Sequence, residues 1–308
     1  MVILNTNFQT NRMNKTLAII FTFSVIIIKG QNNFLLPDSS NQILMNTKGG
    51  LASSSIPQEF MNKFIFPGFI DESLKDAASL RMKDENYFGG ILSGNINVMM
   101  HDQNKGSKNE KIYGFGFGTN LEADLKFSKD LFDLTFYGNK AYANKTLNLN
   151  NTSFNSLAYS YVEFSFGQSM INKKMKSSIW ADLGFLIGHG NTSIDFEKGS
   201  LFTEENGDYL EINLSESSMF LSDTTSTNFL KGLGAKADLY YSLQNRNSRL
   251  FLSTENIGGI FWRNIASAKL DTTLNFEGIE IDNIFQLADS VWSEVGSIDS
   301  LISTTNSN

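Results

Sequence analysis

Residues 113–127 read YGFGFGTNLEADLKF. Tyr113, Phe115, Phe117, Leu121, Ala123, Leu125 and Phe127 share one parity, interrupted by Thr119, while Gly114, Gly116, Gly118, Asn120, Glu122, Asp124 and Lys126 take the other. A period of two is the signature of a strand with two unlike faces. Strands of soluble domains usually run about five or six residues. At about 3.3 Å per residue this stretch spans roughly 50 Å, or about 35 Å along a membrane normal at a tilt near 45°, enough to cross the apolar band of an outer membrane, about 25 Å tall.

The bulk composition agrees with that reading. The chain has 308 residues with 26 Phe, no Cys, three Pro and two His, and a mean hydropathy of −0.18. Abundant phenylalanine with slightly negative hydropathy means that apolar residues alternate with Asn, Ser, Thr and Gly, as in a membrane barrel, instead of clustering as in spanning helices. Without cysteine there is no disulfide framework and no thiolate metal site. The one continuous apolar run, 17–28 within MNKTLAIIFTFSVIIIKGQ, follows Lys15 and precedes Lys29 and Gly30. Residues 1–30 therefore read as a secretory signal peptide, with Met13 as a possible true start; at about a dozen residues the run is short of the ~20 that a spanning helix needs, which makes an uncleaved anchor the lesser alternative. Removal of that segment takes Arg12, Lys15 and Lys29 from the 25 basic residues, leaving 22 against 32 acidic ones and a formal charge of −10. Such a chain repels phosphate backbones, so no nucleic-acid partner is expected.

Residues 31–85 are Asn- and Ser-rich and sustain no strand period; a short helix is expected from Asp71 to Leu80, capped by Asp71, and the segment is expected to lie against or inside the later structure as a lumenal plug. From residue 86 to 308 the chain reads as a β-barrel domain. Long strands are expected at 86–100, 113–127, 157–167, 178–188 and 231–241, with further extended segments at 249–256 and onward to 281. Ser128 and Gly138 bracket a short helix. The 190–228 region, with pieces such as SLFT and YLEINL around the turn ENGD, is expected to be a large loop excursion built of hairpins.

In a membrane, Lys or Arg on the lipid face near mid-depth costs about 2–4 kcal/mol. Parity then assigns Glu122, Asp124, Lys126, Glu163, Asp182, Lys236 and Asp238 to the lumen and the opposite residues to lipid. The glycines at 114, 116 and 118 fall on the lumenal parity; they either let the sheet bend and the interior fill, the commoner role, or allow close passage of a ligand. No catalytic residue, metal ligand set or cofactor motif emerges. GFGFG is not a dinucleotide fingerprint, no G-x-S-x-G elbow occurs, and His101 and His189, expected at strand ends beside turns, have no Asp, Glu or His at ligand spacing in the sequence apart from Asp102 next to His101. The acidic stretch Glu277, Glu280, Asp282 and Asp289 reads as a solvated loop, with calcium as a weaker reading because its spacing is not that of an EF-hand.

The order of motifs DLFDLTFYGNKAYANKTLNL (130–149), SLAYSYVEFSFG (156–167), DFEKGSLFTEENGDYLEINL (195–214), KGLGAKADLYY (231–241), ENIGGIFWRN (255–264) and FEGIEID (276–282) resembles an uncharacterised family of Bacteroidetes outer-membrane barrels, a domain-of-unknown-function family similar in design to FadL-type and PorV-type barrels. The likeness extends over roughly residues 64–290 and implies a signal peptide, an N-terminal segment near the lumen and a barrel of more than a dozen strands. Members of that family usually continue into further strands, whereas about six or seven long strands are readable here. The expected fold is thus all-β: an antiparallel transmembrane β-barrel of outer-membrane type, open in this chain, behind an irregular and short-helical N-terminal segment. The expected location is the outer membrane of a Gram-negative bacterium. The expected role is passive passage of small or hydrophobic solutes, with a scaffold or secretion and surface-assembly accessory of PorV-like design as the alternative and no enzymatic activity. The partners are outer-membrane lipid, a small hydrophobic solute and, in the alternative, a secretion or surface partner. A soluble all-β periplasmic domain is the structural runner-up; it would need a second sheet to cover the Phe and Leu rows.

Overall fold

The computed structural model describes residues 41–66, 68–103, 109–172, 175–206, 209–222, 230–263 and 265–277, all within one compact unit, Pro37–Asn308. The expected signal peptide, most of the acidic stretch beyond Glu277, and residues 31–40 lie outside the described residues.

The chain builds one open, curled antiparallel sheet from eleven strands. They are β1 (Gln42–Ser53), β2 (Asn86–Gln103), β3 (Asn109–Phe127), β4 (Thr146–Asn148), β5 (Thr152–Asn172), β6 (Met175–Phe196), β7 (Lys198–Thr203), β8 (Tyr209–Ser222), β9 (Gly232–Asn245), β10 (Arg249–Trp262) and β11 (Ile265–Glu277). The registers join these segments into seven lanes. β4 and β5 share one register against β7 and β6, and the amides of Leu149 and Asn151 keep the ladder going between them by donating to Gly199 and Glu197. β8 and β9 run in the same direction along the far side of β7 and β6, and β10 and β11 follow along β9 and β8. The order across the sheet is therefore β1, β2, β3, β4–β5, β6–β7, β8–β9, β10–β11. Among the described residues β1 pairs only with β2, and the β10–β11 lane has a neighbour on one side only, so the sheet does not close.

At one end β2–β3, β5–β6 and β9–β10 are joined by few residues; at the other stand the helices, together with the β7–β8 hairpin. The described residues of the excursion expected at 190–228 instead extend the same sheet: β6–β7 and β8 form a hairpin closed by the Glu204 amide on Tyr209 O, flanked by β4 and β11.

The absence of a strand before residue 86 is corrected by β1, which pairs with β2 along its length from Gln42 opposite Met99 to Ser53 opposite Phe88. Its sequence QILMNTKGGLAS hides the period, because three apolar residues stand together and a Gly pair takes the place of side chains. Helix α2 (Glu72–Ser79) begins at the Asp71 cap, whose carboxylate accepts from the Leu74 amide, and α3 (Lys129–Tyr137) begins at Ser128, which accepts from the Leu131 amide, and stops at Gly138 with φ 75°. With α1 (Gln58–Ile65) they enclose a core of Phe60, Leu74, Ala78, Met82, Phe127 and Phe132, where the Phe60 and Phe136 rings meet edge to face at 5.0 Å. A polar seam ties α2 to α3: the Ser79 hydroxyl donates to Asp133 at 2.6 Å and the Tyr137 hydroxyl to Asp76 at 2.7 Å. Burial, with Asp133 nearby, pushes the Tyr142 phenol up to about 12.

Candidate functional site

Two neighbouring transverse rows show how the sheet is built. On one face lie Val98, Phe115, Phe164, Leu183, Ala237 and Ile257, directly across from one another from β2 to β10. On the other lie Asn97, Gly116, Glu163, Gly184, Lys236 and Gly258. The apolar row is the exposed one: Phe115 is 46%, Phe164 50% and Leu183 49% exposed. The ionised row is the buried one, with Glu163 at 4% and Lys236 at 8%. The next apolar row, Ile96, Phe117, Val162, Phe185 and Ala235, repeats the pattern, with Phe185 69% exposed. Curling converges side chains on the concave side, and this crowding marks the charged face as the inside.

Glycine alternates with a long polar residue along the inner row because the long side chains lie across it. A Cβ on Gly116 would come within 2.2 Å of Asn97 Oδ1 and 2.8 Å of Glu163 Cγ; on Gly184, within 2.8 Å of Lys236 Cγ. On Gly118 it would meet the Tyr161 ring at 2.5 Å. Of the two roles considered for the 114–118 glycines, the structure shows the filled interior, since neighbouring side chains hold the space.

The seven residues assigned to the lumen divide into two groups. Glu163, Asp182, Lys236 and Asp238 come together and are buried. Lys236 Nζ stands 2.6 Å from Glu163 Oε2 and 2.8 Å from Asp238 Oδ2, and 4.1 Å from the centre of the Tyr161 ring, where the π face supports the ammonium. Asp182 faces Asp238 directly across β6 and β9 and Ser165 across β5. A bulge in β10 between Thr254 and Ile257 places Asn256 at φ 60°, and its amide donates to Asp238 Oδ1 at 2.5 Å. Glu122, Asp124 and Lys126 stand apart: Asn120 donates to Glu122, Asn155 donates to the exposed Asp124, and Lys126 pairs with Glu85 at 3.0 Å.

Beside the charged cluster, Trp180 stacks on Tyr240 with centroids 4.9 Å apart, and Phe251 adjoins both. Parity alone placed Trp180 and Tyr240 on the inner face. That they touch each other depends on the β6–β9 register, for which the sequence carried no signal. His189 donates to or accepts from Ser160 Oγ at 2.8 Å, and Ser160 lies against Thr119, the residue that interrupts the apolar parity of the opening stretch. These polar groups interrupt the exposed apolar face between Phe117 and Leu121, which is itself 48% exposed.

Among the described residues no helix is long and apolar enough to cross a membrane, which bears on helices alone. No curated protein and no solved structure matches the chain. A family of unknown function, DUF5723, matches over residues 57–308, and the chain belongs to that family.

Proposed function

We propose that this sheet is wall of an outer-membrane β-barrel that lets small or hydrophobic solutes pass without energy input. The observation that carries the reading is the inverted polarity between β2 and β10: bare Phe, Leu and Ile rows on the exposed face, carboxylates and an ammonium buried on the other. Water penalises the first arrangement and hydrocarbon rewards it; exposed apolar patches beyond about a few hundred Å² mark contact with a membrane or partner. The apolar positions along β6 run from Ile179 to Ile187, about 26 Å along the strand at about 3.3 Å per residue and roughly 19 Å along a membrane normal at a tilt near 45°, most of an outer-membrane band about 25 Å tall. The resemblance of the motif order to an uncharacterised Bacteroidetes outer-membrane family, similar in design to FadL-type and PorV-type barrels, supports the same location. Hydrocarbon also leaves an open sheet edge with unsatisfied amides, so the reading requires that β1 and the β10–β11 lane be covered in the membrane. Single-channel conductance and liposome swelling with protein from its native membrane test it: solute-dependent flux is expected, and silence in both assays with every solute tried counts against it.

A second reading, a scaffold or surface-assembly accessory of PorV-like design, is favoured by the four-lane extension of β4, β7, β8 and β11, which continues the sheet far beyond the apolar rows. Cross-linking in native membranes separates the two, since a scaffold predicts a recurrent partner on that extension.

A further inference from the structure

Asp182 is only 8% exposed, and its Oδ1 has no hydrogen-bond partner among the described residues. A carboxylate oxygen taken out of water without a donor is costly. It does not stand alone: one oxygen from each of Glu163, Asp182 and Asp238 lies within 4.8 Å of the other two. Lys236 is the ammonium set among them, already engaged by Glu163 and Asp238, while Asp238 also holds the Asn256 amide. Three carboxylates against one ammonium leave two negative charges, and a divalent cation would bring the cluster to neutrality.

We propose that Glu163, Asp182 and Asp238 form an inner-face site for a hard divalent cation of the calcium class, with the unpaired oxygen of Asp182 as its anchoring ligand. Calcium takes oxygen ligands at about 2.3–2.6 Å in irregular geometry, so oxygens spaced as these are can share one ion, and carboxylates without nitrogen or sulfur ligands disfavour zinc. Lys236 stays as the fixed counter-charge of the two outer carboxylates. The lumen reading supplies the route of access; the binding itself stands or falls separately.

Trp180 lies two residues before Asp182 on the same strand face, stacked on Tyr240, and can sensitise a terbium ion at the site. With the protein purified from its native membrane in detergent and titrated with terbium, luminescence excited through tryptophan should saturate at one ion per chain and be displaced by calcium. Asp182→Asn should weaken binding by at least about tenfold, whereas Glu122→Gln, which removes an inner-face carboxylate outside the cluster, should change it less than about twofold. Because Asp182→Asn removes a like charge facing Asp238, its melting temperature in chelator should equal or exceed that of the parent, and calcium should raise only the parent's. A signal that is absent, not displaced by calcium, or unchanged in Asp182→Asn overturns the proposal, as does an Asp182→Asn protein that melts below the parent in chelator. Terbium binding by a protein that conducts nothing would refute the channel and keep the site; conductance without terbium binding would do the reverse.

Discussion

The lower part of the sheet and its upper extension obey opposite rules although the same lanes run through both. In the extension the row Leu147, Leu201, Ile212 and Leu274 crosses β4, β7, β8 and β11. Leu147 is 3% and Leu201 1% exposed, and they pack with Leu134 of α3, Leu149 and Leu210. The adjacent row on the other face, Asn148, Ser200, Asn213 and Thr273, is polar, with Thr273 donating to Asn213 at 2.5 Å. Apolar inside and polar outside is how a sheet is arranged for water. Below it, between β2 and β10, leucine and phenylalanine are outside and Glu163, Asp182, Lys236 and Asp238 inside. One chain thus carries two opposite patterns, and on the proposed membrane reading the change of rule marks where lipid gives way to water.

Truncations should separate the two regions most sharply. Leu201→Ala removes a side chain from a packed core and should destabilise the extension by about 2–5 kcal/mol in denaturant unfolding. Leu183→Ala, on the exposed apolar row, should cost far less in the same experiment. Equal costs would break the comparison.

Charge insertion reverses the order. Leu183→Arg should lower stability by about 2–4 kcal/mol in lipid. Ser200→Arg, half-buried on the polar face of the extension, should stay within about 0.5 kcal/mol. Equilibrium unfolding in bilayers reads both.

Two glycines, Gly116 on the inner row and Gly259 on the opposite face, offer a smaller contrast. Gly116→Val would drive its new atoms into Asn97 and Glu163 and should cost about 1–3 kcal/mol. Gly259→Ala, with nothing within 4 Å of its added Cβ, should leave the melting temperature unchanged. A harmless Gly116→Val would mean that the interior is not filled as described.

The smallest effect concerns pH. The Ser73 hydroxyl and the Leu74 amide both donate to the Asp71 carboxylate and hold it below its ordinary value of 3.8. A folded-state value lower than the unfolded one contributes stability above that ordinary value, and the contribution is lost as pH falls through the folded value. Helical circular dichroism should therefore loosen slightly on acidification in the parent but not in Asp71→Asn, with strand signal unaffected in either.

How much of this was legible in the sequence follows from what alternation encodes. Parity named the faces of β3, β6 and β9, because each sustains a period of two over most of its length, broken in β3 at Thr119, with glycine or charge opposite Leu, Ile and Phe. Ser128 and Gly138 announced α3 through the chemistry of helix ends. β1 escaped notice because Gly49 and Gly50 and the polar Asn46, Thr47 and Lys48 blur its period, and pairing with β2 supplies what its own sequence lacks. The extension looked like separate hairpin pieces because left-handed residues such as Asn151 and Glu216 interrupt it, while the register across β4, β7, β8 and β11 is set by partners far away in the chain. Parity placed seven charged residues on one face, but it carried no information on which of them meet: that Glu163, Asp182, Lys236 and Asp238 converge depends on the register of β5, β6 and β9.

The inverted polarity can be tested directly, because a chain without cysteine accepts single cysteines one at a time. Nitroxide labels at positions 182 to 185 and at 200 and 201, in native outer-membrane vesicles, would be compared for collision with oxygen, which partitions into lipid, and with a water-soluble nickel chelate. High oxygen accessibility is predicted at 183 and 185 but not at 182 and 184, with 200 open to the nickel chelate and 201 shielded from both. Labels at 183 and 185 that meet the nickel chelate as freely as the one at 200 would contradict a lipid-facing wall.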